Sequence, residues 1–334
     1  MPRLQPLLLL LTLLALAVPA GAVTIEWVPV RHPGNPDDDT GAGSVAYSYY
    51  ISKYEVTNAQ YAEFLNAVPP NGLGLHHFGM TNDFSNGGIR FDNANPTGSK
   101  YVVKAGFADK PVTYVSFFSA LRFINWLNNG QGSGATETGA YTLLGGTRTP
   151  TNWQTVAREA TATLFLPSED EWYKAAYYDG AQNTYYNYPA GTDLATVCSA
   201  PTSTPNRGNL CPGAVGKVTE VGAYTGSPSP YGAFDMAGNV FEWNEATVAT
   251  SFRQLRGGTW GGFLSLAESS FYSSDDPRFG EQAYSGFRVA SLVPEPGTGL
   301  LVAGGLLGLS GLRRRRRFYG RSRPAGRRRS GLLA

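Results

Sequence analysis

The chain is short of charge: Asp, Glu, Lys and Arg make up only 16% of its 334 residues, against 42% hydrophobic ones. So little charge beside so much apolar surface excludes a disordered polyelectrolyte and a coiled coil. Histidine is scarcer still at three residues, and cysteine numbers two. What abounds is glycine, 41 residues, and proline, 22, together about a fifth of the chain, so long stretches must be turn and irregular backbone and a helical bundle is excluded. The 19 Tyr, 17 Phe and 6 Trp supply rigid apolar area for a core built from short elements and packed loops. No internal repeat or long linker interrupts the body, which predicts one loop-rich domain.

The formal net charge of +2 arises from the ends. Without Arg3, Glu295 and the ten arginines between Arg313 and Arg329, the body holds sixteen basic and twenty-four acidic residues, about −8. An acidic body argues against nucleic acid, whose phosphates need a basic face. At the N-terminus, Arg3, the apolar run from Leu7 to Val18 and the small residues Ala20-Gly21-Ala22 read as a secretory signal over 1–22, with a mature chain from Val23. An apolar core of about a dozen residues is short for a bilayer, which asks about 20. In an oxidising compartment, Cys198 and Cys211, which share a loop rich in Pro, Thr and Asn, are most economically one disulfide. A metal or redox pair is the alternative, though the spacing is not Cys-x-x-Cys and no His is nearby.

At the other end, Val293-Pro294-Glu295-Pro296 precedes an apolar, Gly-rich run over 297–312 and the block Arg313 to Arg317. Such a segment would sit in a membrane with its arginines on the cytoplasmic side, leaving the body outside. The order resembles the PEP-CTERM sorting signal of Gram-negative bacteria, a Pro-Glu-Pro motif, a short membrane helix and an arginine cluster. The resemblance implies a sorting motif at Pro294, Glu295 and Pro296 within 293–334, and an exosortase as processing partner. The protein is then expected to cross the inner membrane, to be membrane-anchored before processing, and to reside in the cell envelope or outside the cell.

Within 23–292 three helices are predicted. One starts at the capping box Thr57-Asn58-Ala59-Gln60, sets Tyr61, Phe64, Leu65 and Val68 on one face and stops at Pro69-Pro70. A second runs from Ser116 to Asn128-Asn129-Gly130 with Phe117, Leu121, Ile124 and Leu127 as its stripe. A third follows the capping box at Ser168 to Glu171 and turns Trp172, Ala175 and Ala176 inward. Gly-punctuated short strands fill the rest, giving an α+β class with much coil.

Six motifs then occur in order. They are Tyr54-Glu55-Val56-Thr57-Asn58-Ala59-Gln60-Tyr61; Pro111-Val112-Thr113-Tyr114-Val115-Ser116 leading to Asn125-Trp126-Leu127; and Leu166-Pro167-Ser168-Glu169-Asp170-Glu171-Trp172. After them come Tyr231-Gly232-Ala233-Phe234-Asp235-Met236-Ala237-Gly238-Asn239-Val240-Phe241-Glu242-Trp243, Arg256-Gly257-Gly258-Thr259-Trp260 and Gly286-Phe287-Arg288-Val289. Over about residues 25–290 this series resembles the formylglycine-generating enzyme family, also called sulfatase-modifying factors. The resemblance implies a single domain related to the C-type lectin fold with little regular secondary structure.

The family's enzymes oxidise a sulfatase cysteine to formylglycine with molecular oxygen, using two cysteines that bind Cu(I), the metal soft thiolates prefer. Those cysteines would fall near Gly262 and Ala267, so no copper is expected here. Related iron-dependent sulfoxide synthases need several histidines at fixed spacing; here only His32, His76 and His77 exist, and the adjacent pair reads as a solvated loop. The resemblance also implies a structural calcium held by the side chains of Asp235 and Glu242 and the carbonyls of Gly238 and Val240, hard oxygens of the kind Ca²⁺ takes. The alternative is that the two acids cap or salt-bridge their own turn. Arg256 and Arg288 are expected to pair with buried carbonyls or carboxylates, Trp172, Trp243 and Trp260 to be core, and Asp37-Asp38-Asp39 to be a solvated loop.

Two functions follow. The first is an exported, envelope-associated binding or structural module without the copper cysteines. Its extracellular protein or glycan ligand would meet Gly261 to Asp276, where Ser265, Ser269, Ser270, Tyr272, Ser273 and Ser274 form a polar run. The alternative is a formylglycine-generating-type oxidase acting on protein cysteine.

Overall fold

The computed structural model describes residues 22–68, 72–82 and 86–292. The signal segment 1–21, the sorting motif and the 297–312 span lie outside the described residues. The body over 22–292 is one unit. In chain order its first elements are β1 (Trp27–Val30), β2 (Tyr49–Ser52), α1 (Asn58–Ala67), α2 (Phe78–Thr81), β3 (Ile89–Phe91), β4 (Tyr101–Val103), α3 (Phe117–Asn128), β5 (Leu164–Phe165) and α4 (Glu169–Tyr177). Then come β6 (Tyr178–Asp179), β7 (Thr184–Tyr185), β8 (Val197–Cys198), β9 (Arg207–Gly208), β10 (Phe241–Val248), β11 (Phe252–Arg256), β12 (Ser273–Asp275), β13 (Ser285–Gly286) and β14 (Ala290–Leu292). Short strands and few helices joined by long loops are the α+β fold that the glycine and proline content calls for.

All three predicted helices form, because their starts are written in side chains that satisfy the first free amides. Thr57 and Gln60 close the capping box of α1, Ser168 and Glu171 that of α4, and Ser116 accepts from the Ser119 amide at α3. Helix α3 is buried over all but one of its residues, Asn128, so its four-residue stripe understates its place at the centre of the body. Phe123 stacks on Tyr61 at 5.8 Å between ring centres, with Phe64 and Phe287 edge-on to it at 5.5 and 5.4 Å. Trp172 and Trp243 are fully buried as expected, whereas Trp260 is only half-buried, its indole N–H donating to the Ala283 carbonyl.

Two four-stranded sheets frame this core, in the orders β1-β2-β14-β5 and β12-β11-β10-β13. In the second, Glu242 of β10 faces Arg256 on antiparallel β11 and Gly286 on parallel β13. Cys198 and Cys211 form the expected disulfide, Cα to Cα 6.0 Å. Among the described residues no helix is long and apolar enough to cross a membrane.

Candidate functional site

The loop from Phe234 to Val240 folds on backbone that most residues avoid. Asp235 and Asn239 have φ of 58° and 61°, and Gly238 has φ of 99°. A Cβ on Gly238 would stand 2.3 Å from the Asn209 carbonyl oxygen, so only glycine fits. The Gly238 amide donates to the Gly257 carbonyl, and the Asn239 amide to that of Asn209. This ties the Gly-Asn-Val-Phe-Glu-Trp turn to the Arg-Gly-Gly turn that follows β11.

The turn delivers Glu242 into a fully buried ion pair. Arg288 Nη2 donates to Glu242 Oε1 at 2.6 Å and Nε to Oε2 at 2.5 Å, and both side chains are 0% exposed. Trp172 Nε1 adds a third bond to Oε2 at 2.6 Å. The rest of the guanidinium reaches the Ser52 and Phe234 carbonyls at 2.9 and 3.0 Å, so Arg288 joins the β2 end, the turn and β10. Arg256 works similarly: it pairs with Glu169 at the start of α4 and donates to the Ser269 and Phe271 carbonyls. Both arginines therefore pair as their sequence context predicts.

Calcium needs oxygen lone pairs turned toward a common point. Glu242 instead spends both oxygens on Arg288 and Trp172, and a dication there would face a buried guanidinium. Asp235 turns Oδ2 to the Gly222 amide, 2.5 Å away. As placed, the set Asp235, Gly238, Val240 and Glu242 does not fit a calcium ion, and the salt-bridge alternative describes Glu242. Among the described residues no group of three His, Cys, Asp or Glu is arranged to hold a metal.

One acid in this neighbourhood escaped the sequence reading. Glu55, 1% exposed, has no hydrogen-bond partner for either carboxylate oxygen. Burial drives its pKa well above the usual carboxylate range, the charges of Asp235 and Glu242 push the same way, and Arg288 opposes them. Asp235 is pushed up to about 6, again chiefly by burial. Among the described residues, Arg288 is the cation set against these three buried acids. Because folding raises the pKa of Glu55, stability is fullest below its unfolded value of about 4.3 and is lost as pH rises toward its folded value. Glu55→Gln is expected to melt higher than wild type near pH 8 and to match it near pH 4, as thermal scans across pH would measure. A wild-type advantage at pH 8 would contradict this account.

The segment aligned with the family's copper cysteines forms a 3₁₀ turn over Leu264–Ala267. Gly262 and Ala267 are buried there, and a Cβ on Gly262 would meet the Leu266 side chain at 2.4 Å. Phe263, Ser265, Ser270, Tyr272 and Ser274 are exposed, as a contact surface requires, but Ser269 is buried beneath them. The histidines lie apart in their bonding: His32 Nδ1 meets the Tyr231 hydroxyl, His76 Nε2 the Ile89 carbonyl, and His77 Nδ1 accepts from the Gly79 amide at the start of α2. The last two are half-buried and bonded, not solvated as expected. Asp38 of the acid run likewise accepts from the Tyr173 hydroxyl.

The profile of the sulfatase-modifying factor enzyme 1-like domain matches residues 15–293. The chain belongs to this family. It is 24% identical over 301 residues to hercynine oxygenase of Mycolicibacterium smegmatis, covering 82% of this chain and 60% of that protein. With hercynine oxygenase of Mycobacterium tuberculosis it shares 28% identity over 202 residues, 55% of this chain and 37% of that protein. The chain thus spans about 60% or less of the length of these curated relatives. Among solved structures it is similar to CarF, with a TM-score of 0.56 and 21% identity over 82% of this chain and 100% of that one. Treponema denticola variable protein 1 superposes with a TM-score of 0.50 at 20% identity, covering 82% of this chain and 97% of that one. These likenesses establish the fold of this sulfatase-modifying factor-like body.

Proposed function

We propose that this member of the family is a binding or structural module without the family's copper-dependent oxidation. The observation that carries the reading is the fate of its thiols: Gly262 and Ala267 stand where the copper ligands are expected, and the chain's two cysteines are consumed by one disulfide. Cu(I) binding of that kind needs thiolates, and none is left to bind it. The three histidines, each bonded to a different group, speak against the iron chemistry expected of the family's sulfoxide synthases. The ligand, an extracellular protein or glycan, meets the exposed side chains of 261–276. The secretory leader at 1–22 and the Pro294-Glu295-Pro296 signal support export to the envelope, a membrane-held precursor and processing by an exosortase.

Purified protein given Cu(I) and a peptide carrying Cys-x-Pro-x-Arg is expected to convert no cysteine to formylglycine by mass spectrometry. Turnover that survives Cys198→Ser with Cys211→Ser would overturn the reading.

A further inference from the structure

We propose that the cavity beside the β10–β11 hairpin binds the carboxylate of a small organic acid through Arg253. The cavity holds about 360 Å³, within the ordinary range of small-ligand sites. Gln154, Thr155 and Thr247 are exposed at its mouth, while Phe117, Val156 and Arg253 are buried in its wall. The antiparallel pairing of β10 with β11 is irregular between Trp243 and Thr247, and such a break re-aims the side chains around it.

Arg253 is held unlike the other buried arginines of the body. Arg122 pairs with Glu137, Arg256 with Glu169 and Arg288 with Glu242. Arg253 is only 5% exposed, yet among the described residues it forms no ion pair and is held by two carbonyls, those of Glu245 at 2.6 Å and Val156 at 3.0 Å. Its guanidinium carbon lies 4.6 Å from the centre of the Phe117 ring. The two bonds leave most of its N–H donors without an acceptor among the described residues. Burial pushes its pKa below the usual arginine range and the Glu245 charge does not make up the loss, whereas at Arg256 and Arg288 burial is outweighed by the paired carboxylates. A buried cation short of negative charge gains from an anion that reaches it. The planar fork of a guanidinium matches a carboxylate, and Phe117, Val156 and Ala157 give the rest of an organic acid an apolar wall. Glu245 stands in the same wall, held by Arg158 and the Tyr141 hydroxyl, and repels further negative charge, so a monoanion is selected over phosphate or sulfate. The cavity shares no residue with the surface at 261–276, so this site stands whether or not that surface binds anything.

Benzoate titrated into the full chain at fixed ionic strength is expected to bind one-to-one by calorimetry, with the uncharged benzamide at least about tenfold weaker. Arg253→Lys keeps the charge but loses the fork and is expected to weaken benzoate about tenfold. Thr247→Glu places a like charge at the exposed mouth, away from the core, and should weaken benzoate about as much while the melting temperature holds. Ser270→Glu adds the same charge to the 261–276 surface and should leave the affinity unchanged. The proposal is overturned if benzoate gives no saturable binding, if benzamide binds equally well, or if Thr247→Glu and Ser270→Glu act alike.

Discussion

Replacing Arg288 with methionine is expected to lower the unfolding free energy by about 3–5 kcal/mol, because it leaves the Glu242 carboxylate buried without its cation. For a body of this size that is a fall in melting temperature on the order of 10 °C. The cost comes from the orphaned charge more than from the lost attraction, and the two can be separated. In the double variant Arg288→Met with Glu242→Gln, the amide oxygen still accepts from Trp172 and no bare charge remains. The double variant should therefore be more stable than Arg288→Met alone. Urea titrations followed by tryptophan fluorescence would check this; strictly additive losses would mean that the pair is held by packing and not by charge.

Cys198→Ser with Cys211→Ser is expected to cost about 3 kcal/mol, mostly by freeing the unfolded chain. The strands that the disulfide ties are short, β8 and β9 having two residues each, and side-chain bonds such as that from the Tyr224 hydroxyl to the Ser199 carbonyl hold the rest of the loop. The effect should spread inward, since Asn209, two residues before Cys211, bridges to Gly238 and accepts from the Asn239 amide. Reduced wild type should lose the same amount as the double serine variant. An unchanged urea midpoint after reduction, with free thiols shown by alkylation, would refute the estimate.

The helices were legible because their signals are local. A hydroxyl before the first turn and an acid or amide three residues on, as at Thr57 and Ser168, need no knowledge of the rest of the chain. The strands were not, since pieces of two or three residues such as β5, β13 and β14 are too short to show a period of two. At the site, the partners of Arg288 were foreseen as a class, while Glu242 was assigned to a metal. The contact that decides between those roles joins residues 46 apart, and nothing local announces it. Glu55 passed as one letter of a motif because an acid beside a capping box looks like surface, whereas its position after β2 seals it into the body. Charge parity was the available signal: a buried arginine calls for one acid, and a second or third acid nearby asks for an explanation.

The place of β14 has a mechanical consequence. The strand is the last element of the body, yet it lies inside its sheet, paired with β2 on one side and β5 on the other. Tension applied to the chain beyond Leu292 along the strand axis must shear both ladders together, whereas an edge strand such as β1 can be peeled one bond at a time. Upstream, Arg288 anchors the same stretch to Ser52 and Glu242, so the load passes directly into the centre of the molecule. A body tethered by its C-terminal end would thus be held through two ladders at once, and a pull there should unfold it at higher force than a pull of equal speed at Val23.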